Sequence, residues 1–492
     1  MYEPYETDIY TKCTTPQKGV EDRITARTIY NYLKSPFIVY CDKFVKEEEK
    51  DPISEFQKLL FEQGQEHEKN VIEKDYPEVE TKEYETKEEG FGLLLEAMKK
   101  GEHTIAGLPL LYLQEGLEGR IDLLEKNTNS PSIFGEYHYV VKEIKLAKNI
   151  QRHHIYQTAF YNYLLGKIQD YTPENFILIN RDHEEKEYQY NPEKLLEIID
   201  DIKEIQNGKT VTPTYGKCEW PWETYNNKKA VETDDVSLVS GIGATTKEKL
   251  NEMGIKTVKD LADSTIEKLT EIKGIGPASA EKYQTNAKAL AEDKCIPLGR
   301  CSFKENKTEI FLDLEGTGEQ KGDEELTAID YLIGVTVRND GKTEYTPFLA
   351  HTLEGEEEMF KQFTKWLEKQ SDYTIYHWHH YELNHLKRLS ERYGIPEELK
   401  NKLFMNMRDL YKDAKKAYAY PTYGGGLKDV AKFMGYTWRH KDVNAMESIA
   451  IYFNYLKNPE KHKEEIQKVI DYNEDDCRAT MVVKDWLLKN SS

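Results

Sequence analysis

Thr308-Glu-Ile-Phe-Leu-Asp-Leu-Glu-Gly316 decides how the C-terminal third of this chain reads. An apolar run closed by glycine predicts a buried strand entering a turn. Asp313 and Glu315 are two residues apart, so their side chains leave the same face of that strand. Two ionised carboxylates side by side on an apolar strand repel each other and are costly to desolvate. A divalent cation removes that cost. The plain alternative is a strand end where both carboxylates reach water, and a D-x-E alone does not decide between the two.

The far end of the segment decides it. Glu465-Ile-Gln-Lys-Val-Ile-Asp-Tyr-Asn-Glu-Asp-Asp-Cys-Arg-Ala-Thr480 leads into apolar positions with a helical period, at 466, 469, 470, 483, 486 and 487. Tyr472 and Asp476 are four apart and stack on one helix face. A D-x-E strand followed by a Y-x-x-x-D helix resembles the DEDDy branch of the RNase H-like 3′→5′ exonucleases. Between them, Tyr373-Thr-Ile-Tyr-His-Trp378 supplies a strand and Tyr381-Glu382 the expected aromatic–acid pair, with Glu where the family has Asp. Met407-Arg-Asp-Leu-Tyr411 and Gly426-Leu-Lys-Asp-Val-Ala-Lys-Phe-Met-Gly-Tyr436 resemble that family's connecting elements. The resemblance implies two Mg²⁺ or Mn²⁺ ions, about 3.5–4 Å apart, shared by Asp313, Glu315, Glu382 and Asp476. It also implies that Tyr472 orients the attacking water. The histidines at 377, 379, 380 and 385 fit a polar helix start better than a zinc site.

A second acid set lies far upstream. Gly119-Arg-Ile-Asp-Leu-Leu-Glu125 reads as a strand with Asp122 inside it, and Tyr137-His-Tyr-Val-Val-Lys-Glu-Ile-Lys-Leu-Ala-Lys148 as another. Glu143 and Lys145 share one face of the latter, pairing a metal-binding acid with an amine suited to transition-state charge. This pattern resembles the PD-(D/E)XK superfamily, and Gly-Arg-Ile-Asp narrows it to the RecB-like nucleases. Gln157 and Tyr161, four apart on a helix, match the Q-x-x-x-Y of that family. Leu60, Gln63, His67 and Val71 form a helical stripe, and Gly64-Gln-Glu-His67 resembles the motif supplying a metal-binding His. Some relatives carry an iron–sulfur cluster; here Ser35 stands at the early Cys position and only Cys218 remains of the late triplet, so no cluster is expected.

Between these segments, Leu238-Val-Ser-Gly-Ile-Gly and Ile272-Lys-Gly-Ile-Gly-Pro each fit a Gly-h-Gly hairpin between helices. Gly241, Gly243, Gly274 and Gly276 allow close backbone approach, and the following helix offers free N–H groups to phosphate. The pair resembles a tandem helix-hairpin-helix domain, which grips nucleic-acid backbone without reading sequence; hairpins of this kind also serve as packing modules.

The remaining arithmetic bounds the answer. The 492 residues carry a formal charge of −21, with 32% charged and 38% hydrophobic positions. That length predicts roughly three domains at about 150 residues each. The 34 Tyr and 16 Phe exclude a disordered chain. The six cysteines form no CxxC pair, which excludes a disulfide scaffold or a zinc ribbon built from local pairs. Acidity counts against charge-driven coating of nucleic acid but not against an enzyme whose metal sites are carboxylates. With no signal or membrane segment in view, a cytoplasmic protein is expected, with no membrane partner.

The expected fold is therefore an α/β multidomain chain. A PD-(D/E)XK nuclease core spans 1–230, a small all-α tandem helix-hairpin-helix domain spans 235–292, and an RNase H-like α/β domain of YprB type spans 307–492. The expected activity is metal-dependent hydrolysis of DNA, with RNA as a possible substrate, at two separate centres. The competing reading is a non-catalytic DNA-binding adaptor for a helicase or repair partner.

Overall fold

The computed structural model describes residues 4–304, 306–317 and 328–490. The chain divides into two compact units, one built mainly from Lys58–Asn227 and the other mainly from Lys228 onward. Among the described residues no helix is long and apolar enough to cross a membrane.

In the first unit, helices α1 (Glu55–Asp75) and α2 (Lys87–Lys100) follow a two-residue strand, Ile24–Thr25, and precede the other strands. Thr86 starts α2 by accepting from the Glu89 N–H, and Gly101, at φ 70°, ends it. Phe91, Leu94, Leu95 and Met98 then form its buried face. Strands β1 (Thr104–Ala106), β2 (Pro109–Tyr112), β3 (Leu117–Arg120), β4 (Leu123–Asn127) and β5 (His138–Ile144) follow. Helix α3 (Arg152–Gln169) leads to β6 (Asn175–Ile179) and β7 (Glu185–Gln189). One sheet runs β1-β4-β5-β6-β7, antiparallel except for β5 with β6. That parallel pair is joined through α3, as a parallel pair requires a crossover.

The sequence reading placed Asp122 inside one strand, and the structure corrects this. Leu117–Arg120 pairs with β2 in a separate small sheet, while Leu123–Asn127 pairs with β1 and β5. Asp122 therefore sits at the joint where the chain leaves one sheet for the other.

The second unit begins with a helical portion: α4 (Ala244–Glu252), α5 (Val258–Asp263), α6 (Ile266–Thr270) and α7 (Pro277–Glu292). Gly241 and Gly274 take φ of +94° and +98°, the left-handed backbone that makes glycine the fitting residue there. Gly243 and Gly276 occupy the N-cap positions of α4 and α7 and provide no capping side chain. A buried ion pair, Lys247 to Asp235 at 2.7 Å, ties α4 to the segment before it.

The rest of the unit is a five-stranded sheet with helices around it. Its elements are β8 (Thr308–Gly316), β9 (Asp330–Asn339), β10 (Lys342–Leu349), α8 (Glu356–Leu367), β11 (Tyr373–His377), α9 (Tyr381–Tyr393) and β12 (Met407–Asp409). Then come α10 (Leu410–Ala417), α11 (Leu427–Phe433), α12 (Ala445–Lys457) and α13 (Lys463–Asn490). The order is β10-β9-β8-β11-β12: β8, β9 and β10 pair antiparallel, while β11 and β12 run parallel to β8. β8 is central, so Ile310, Phe311, Leu312 and Leu314 are all buried. Helix α13 lies close over β9: a Cβ at Gly334 would overlap the Asn473 amide, and Gly334 is the register partner of Asp313. Glycine at 334 thus lets α13 bring its side chains down onto the acidic end of β8.

Candidate functional site

At that end of β8, the carboxylates of Asp313, Glu315 and Asp476 each offer an oxygen within 4.8 Å of the others. The strand period puts the first two on one face, and α13 delivers the third through its buried stripe of Val469, Tyr472, Asp476 and Val483. Burial raises all three above the ordinary carboxylate range. Glu315 is pushed up to about 8 by burial and then by Asp476. Asp313 is driven well above its usual value by burial and by repulsion from Asp476, Glu315 and Glu382. Asp476 rises to about 7 through burial, opposed by hydrogen bonds from Trp438 and Tyr472 and by the Lys428 charge. Three crowded hard oxygen donors, two buried and Asp313 partly so, match what a divalent cation of the Mg²⁺ class takes, so the triad could hold one.

Five side chains here were not visible in the sequence. Asn473 donates to Asp313 Oδ2 at 2.7 Å while Tyr345 donates to its amide oxygen at 2.8 Å. Trp438 Nε1 donates to Asp476 Oδ1 at 2.8 Å, and Ser448 donates to Glu315 Oε2 at 3.3 Å. Lys428, on α11, lies 4.5 Å from the centre of the Tyr472 ring and attracts all three carboxylates. Tyr345, Lys428, Trp438 and Ser448 come from elements distant in sequence, and Asn473, though beside Tyr472, meets Asp313 only because α13 packs on the sheet.

Glu382 stands outside the group of three. It is the second residue of α9 and is buried, with its carboxylate 3.6 Å from His377 Nδ1. Its Oε2 and the His377 Nδ1 are both buried without a hydrogen-bond partner. Among the other histidines, His385 Nδ1 contacts Asp330 at 2.6 Å, and the His379 and His380 rings meet at a tilt of 54° with centres 4.1 Å apart.

In the first unit, Asp122 accepts from the Ile144 N–H at 2.8 Å, and its own N–H approaches Glu143 Oε2 at 3.5 Å. Lys145, one residue past β5, reaches Glu143 Oε1 at 3.1 Å, so acid and amine do share a side. Glu143 is pushed up to about 8 by burial and by Asp122, with Lys145 pulling the other way. Tyr161 lies in the field of Glu143 and Asp122, and Gln157 is half-buried one turn earlier on α3. His67 is buried on α1 with Nε2 lacking a hydrogen-bond partner. Glu68, unremarked in the sequence, is raised by burial and by Asp122, and Arg120 approaches it at 3.9 Å. Asp122, Glu143 and His67 do not close into a three-donor group of the kind formed by Asp313, Glu315 and Asp476 among the described residues.

The hairpin region presents the α4 and α7 N-termini through glycine caps, leaving backbone N–H groups open. The two hairpins brace each other: Lys249 donates to the Lys273 carbonyl at 2.8 Å and Tyr283 to the Gly241 carbonyl at 3.4 Å.

Comparison with curated proteins finds no match to the chain. Residues 234–282 match the family profile described as a SAM-like helix-hairpin-helix tandem. Residues 310–488 match that of the RNase H superfamily. The chain thus carries an RNase H superfamily domain, which points to a nuclease-type hydrolase, beside a helix-hairpin-helix tandem of the kind that binds nucleic acid.

Proposed function

We propose that the chain is a divalent-metal-dependent nuclease whose principal centre is a DEDDy-type 3′→5′ exonuclease site of YprB type within residues 307–492, acting on DNA. The observation that carries this reading is the close, largely buried triad of Asp313, Glu315 and Asp476. When bound, Mg²⁺ or Mn²⁺ supplies a Lewis acid for the scissile phosphate and lowers the pKa of water. Asp313, Glu315 and Asp476 hold that charge, with Trp438, Ser448 and Asn473 fixing the direction of each carboxylate. Glu382, whose buried Oε2 has no hydrogen-bond partner, would serve as the fourth ligand. Tyr472, hydrogen-bonded to Asp476, aligns the attacking water through its hydroxyl. Lys428 offsets negative charge developing on the phosphate.

A second centre of RecB-like PD-(D/E)XK type is proposed in residues 1–230, favoured by the convergence of Asp122, Glu143 and Lys145. Asp122 and Glu143 would hold metal with His67, Lys145 would steady the phosphate, and Gln157 with Tyr161 would line the substrate path. The hairpins at Gly241, Gly243, Gly274 and Gly276 grip the backbone, and a helicase or repair protein is the expected partner. Digestion of end-labelled single- and double-stranded DNA and RNA, with and without Mn²⁺, tests the assignment. A non-catalytic adaptor would bind these substrates and leave them intact.

A further inference from the structure

Within the second unit, α7 faces β11, α10 and the loop before α11 across a cleft of about 240 Å³. Its lining includes Lys282, Lys415, Trp378, Tyr411 and Gly425. Lys282 and Lys415 face the same cleft. Lys415 donates to the Tyr411 hydroxyl at 2.6 Å and lies 4.5 Å from the centre of that ring, and among the described residues neither it nor Lys282 makes an ion pair with a carboxylate, in a chain whose formal charge is −21. Two cations facing each other without a counter-ion are unfavourable, and an anion between them reverses the sign. Burial and the Lys415 charge lower the Lys282 pKa, in keeping with a missing counter-ion.

The repeat in the hairpins sharpens this point. Lys249 and Lys282 each lie eight residues beyond the first glycine of their hairpin, Gly241 and Gly274. Lys249 is used internally, on the Lys273 carbonyl. Lys282 is turned into the cleft instead.

The opposite wall is aromatic. Trp378 and Tyr411 meet edge to face with ring centres 5.5 Å apart, and His379 packs on Tyr411 at 4.6 Å. His379 holds a left-handed φ of +72°, unusual for a residue with a side chain and kept in place by its N–H on Asp409 Oδ1 at 3.2 Å. Trp378 follows His377, which faces Glu382, and the cleft residue Val430 lies two positions after Lys428. Helix α11 therefore serves both places, Val430 lining the cleft and Lys428 attracting the acid triad.

Resting on the nuclease reading above, we propose that this cleft carries a single-stranded nucleic acid between the hairpins and the acid triad. Lys282 and Lys415 bracket one phosphate, Tyr411 holds Lys415 in place through its ring and hydroxyl, and Trp378 offers the face on which a base stacks. Basic side chains beside aromatic faces are the combination that binds single strands without reading sequence.

The test uses the full chain with Ca²⁺ in place of the catalytic ion, and fluorescence anisotropy of labelled oligo-dT, oligo-U and a blunt duplex. The double variant Lys282→Gln with Lys415→Gln should bind the single strands about tenfold more weakly. Its salt dependence should flatten by about 0.7 per lost phosphate contact. Lys282→Arg with Lys415→Arg should restore binding. Loss in both single-strand arms assigns the shared backbone chemistry, and loss in one arm assigns that sugar; either supports the cleft. Unchanged affinity and salt slope, or an equal loss on the blunt duplex, overturns it. The readout is independent of hydrolysis: a chain that never cleaves yet loses single-strand affinity keeps the cleft and discards the nuclease reading. Metal-dependent cleavage with unchanged binding does the reverse.

Discussion

Tyr472→Phe separates chemistry from packing at the proposed exonuclease centre. The ring of Tyr472 is buried in the core formed with Val430, Trp438, Cys477 and Val483, and Lys428 sits over its face at 4.5 Å. Phenylalanine keeps all of that. What is lost is the hydroxyl and its hydrogen bond to Asp476, which still accepts from Trp438 at 2.8 Å. One such bond is worth about 0.5–1.5 kcal/mol. In a unit of this size that lowers Tm by about 2–4 °C per kcal/mol. Positioning of water and proton is worth about 10² to 10⁴ in rate, and the low end is expected because bound metal does most of the activation. The assay is 3′→5′ digestion of a 5′-labelled single strand, in an Asp122→Ala background that silences the first unit. Full activity in Tyr472→Phe would refute the water-positioning role and leave Tyr472 as a core residue.

Three further outcomes are expected. Asp122→Ala or Lys145→Ala should remove one metal-dependent activity and spare a second; abolition of all cleavage by Asp122→Ala and separately by Asp313→Ala would indicate one composite site. Replacing Gly241 and Gly274 with alanine should weaken duplex binding while turnover on short single strands survives, because both glycines hold a left-handed backbone at the hairpin turns proposed to meet phosphate; equal duplex affinity in a folded variant would make the hairpins packing modules. The third concerns pH. Glu315 is raised from 4.5 to about 8 and Asp476 from 3.8 to about 7, so the metal-free native state keeps protons that the unfolded chain has released. These groups therefore withdraw stability as pH rises from about 4 to 8. Glu315→Gln should gain Tm relative to wild type across that window. Added Mn²⁺, which must displace those protons, should raise wild-type Tm more at pH 8 than at pH 5; a shift independent of pH would contradict the raised carboxylates.

The parts of this site that were legible in the sequence are those set by local periods. Asp313 and Glu315 share a face because a strand repeats every two residues, and Tyr472 and Asp476 because a helix nearly repeats every four. The hairpin glycines were legible because a Gly-h-Gly turn needs a residue free of Cβ strain. Asp122 was misread for a physical reason: Leu117–Asn127 has an unbroken strand composition, and only pairing partners far away show that it changes sheets at Asp122. Asn473, Trp438, Ser448 and Lys428 were invisible because their meaning depends on which elements the sheet brings together. Glu382 was found by motif, but its position beside His377, outside the triad, belongs to tertiary packing.

The most direct test of the central claim is Mn²⁺-dependent digestion of a 5′-labelled single strand by Asp476→Asn in the Asp122→Ala background, beside the Asp122→Ala parent. The parent should produce a ladder shortening from the 3′ end that vanishes on chelation. Replacing one anionic oxygen of a hard-cation site should cut that digestion heavily, with Mn²⁺ affinity falling in parallel by calorimetry. Undiminished digestion by Asp476→Asn would contradict a metal site built from Asp313, Glu315 and Asp476.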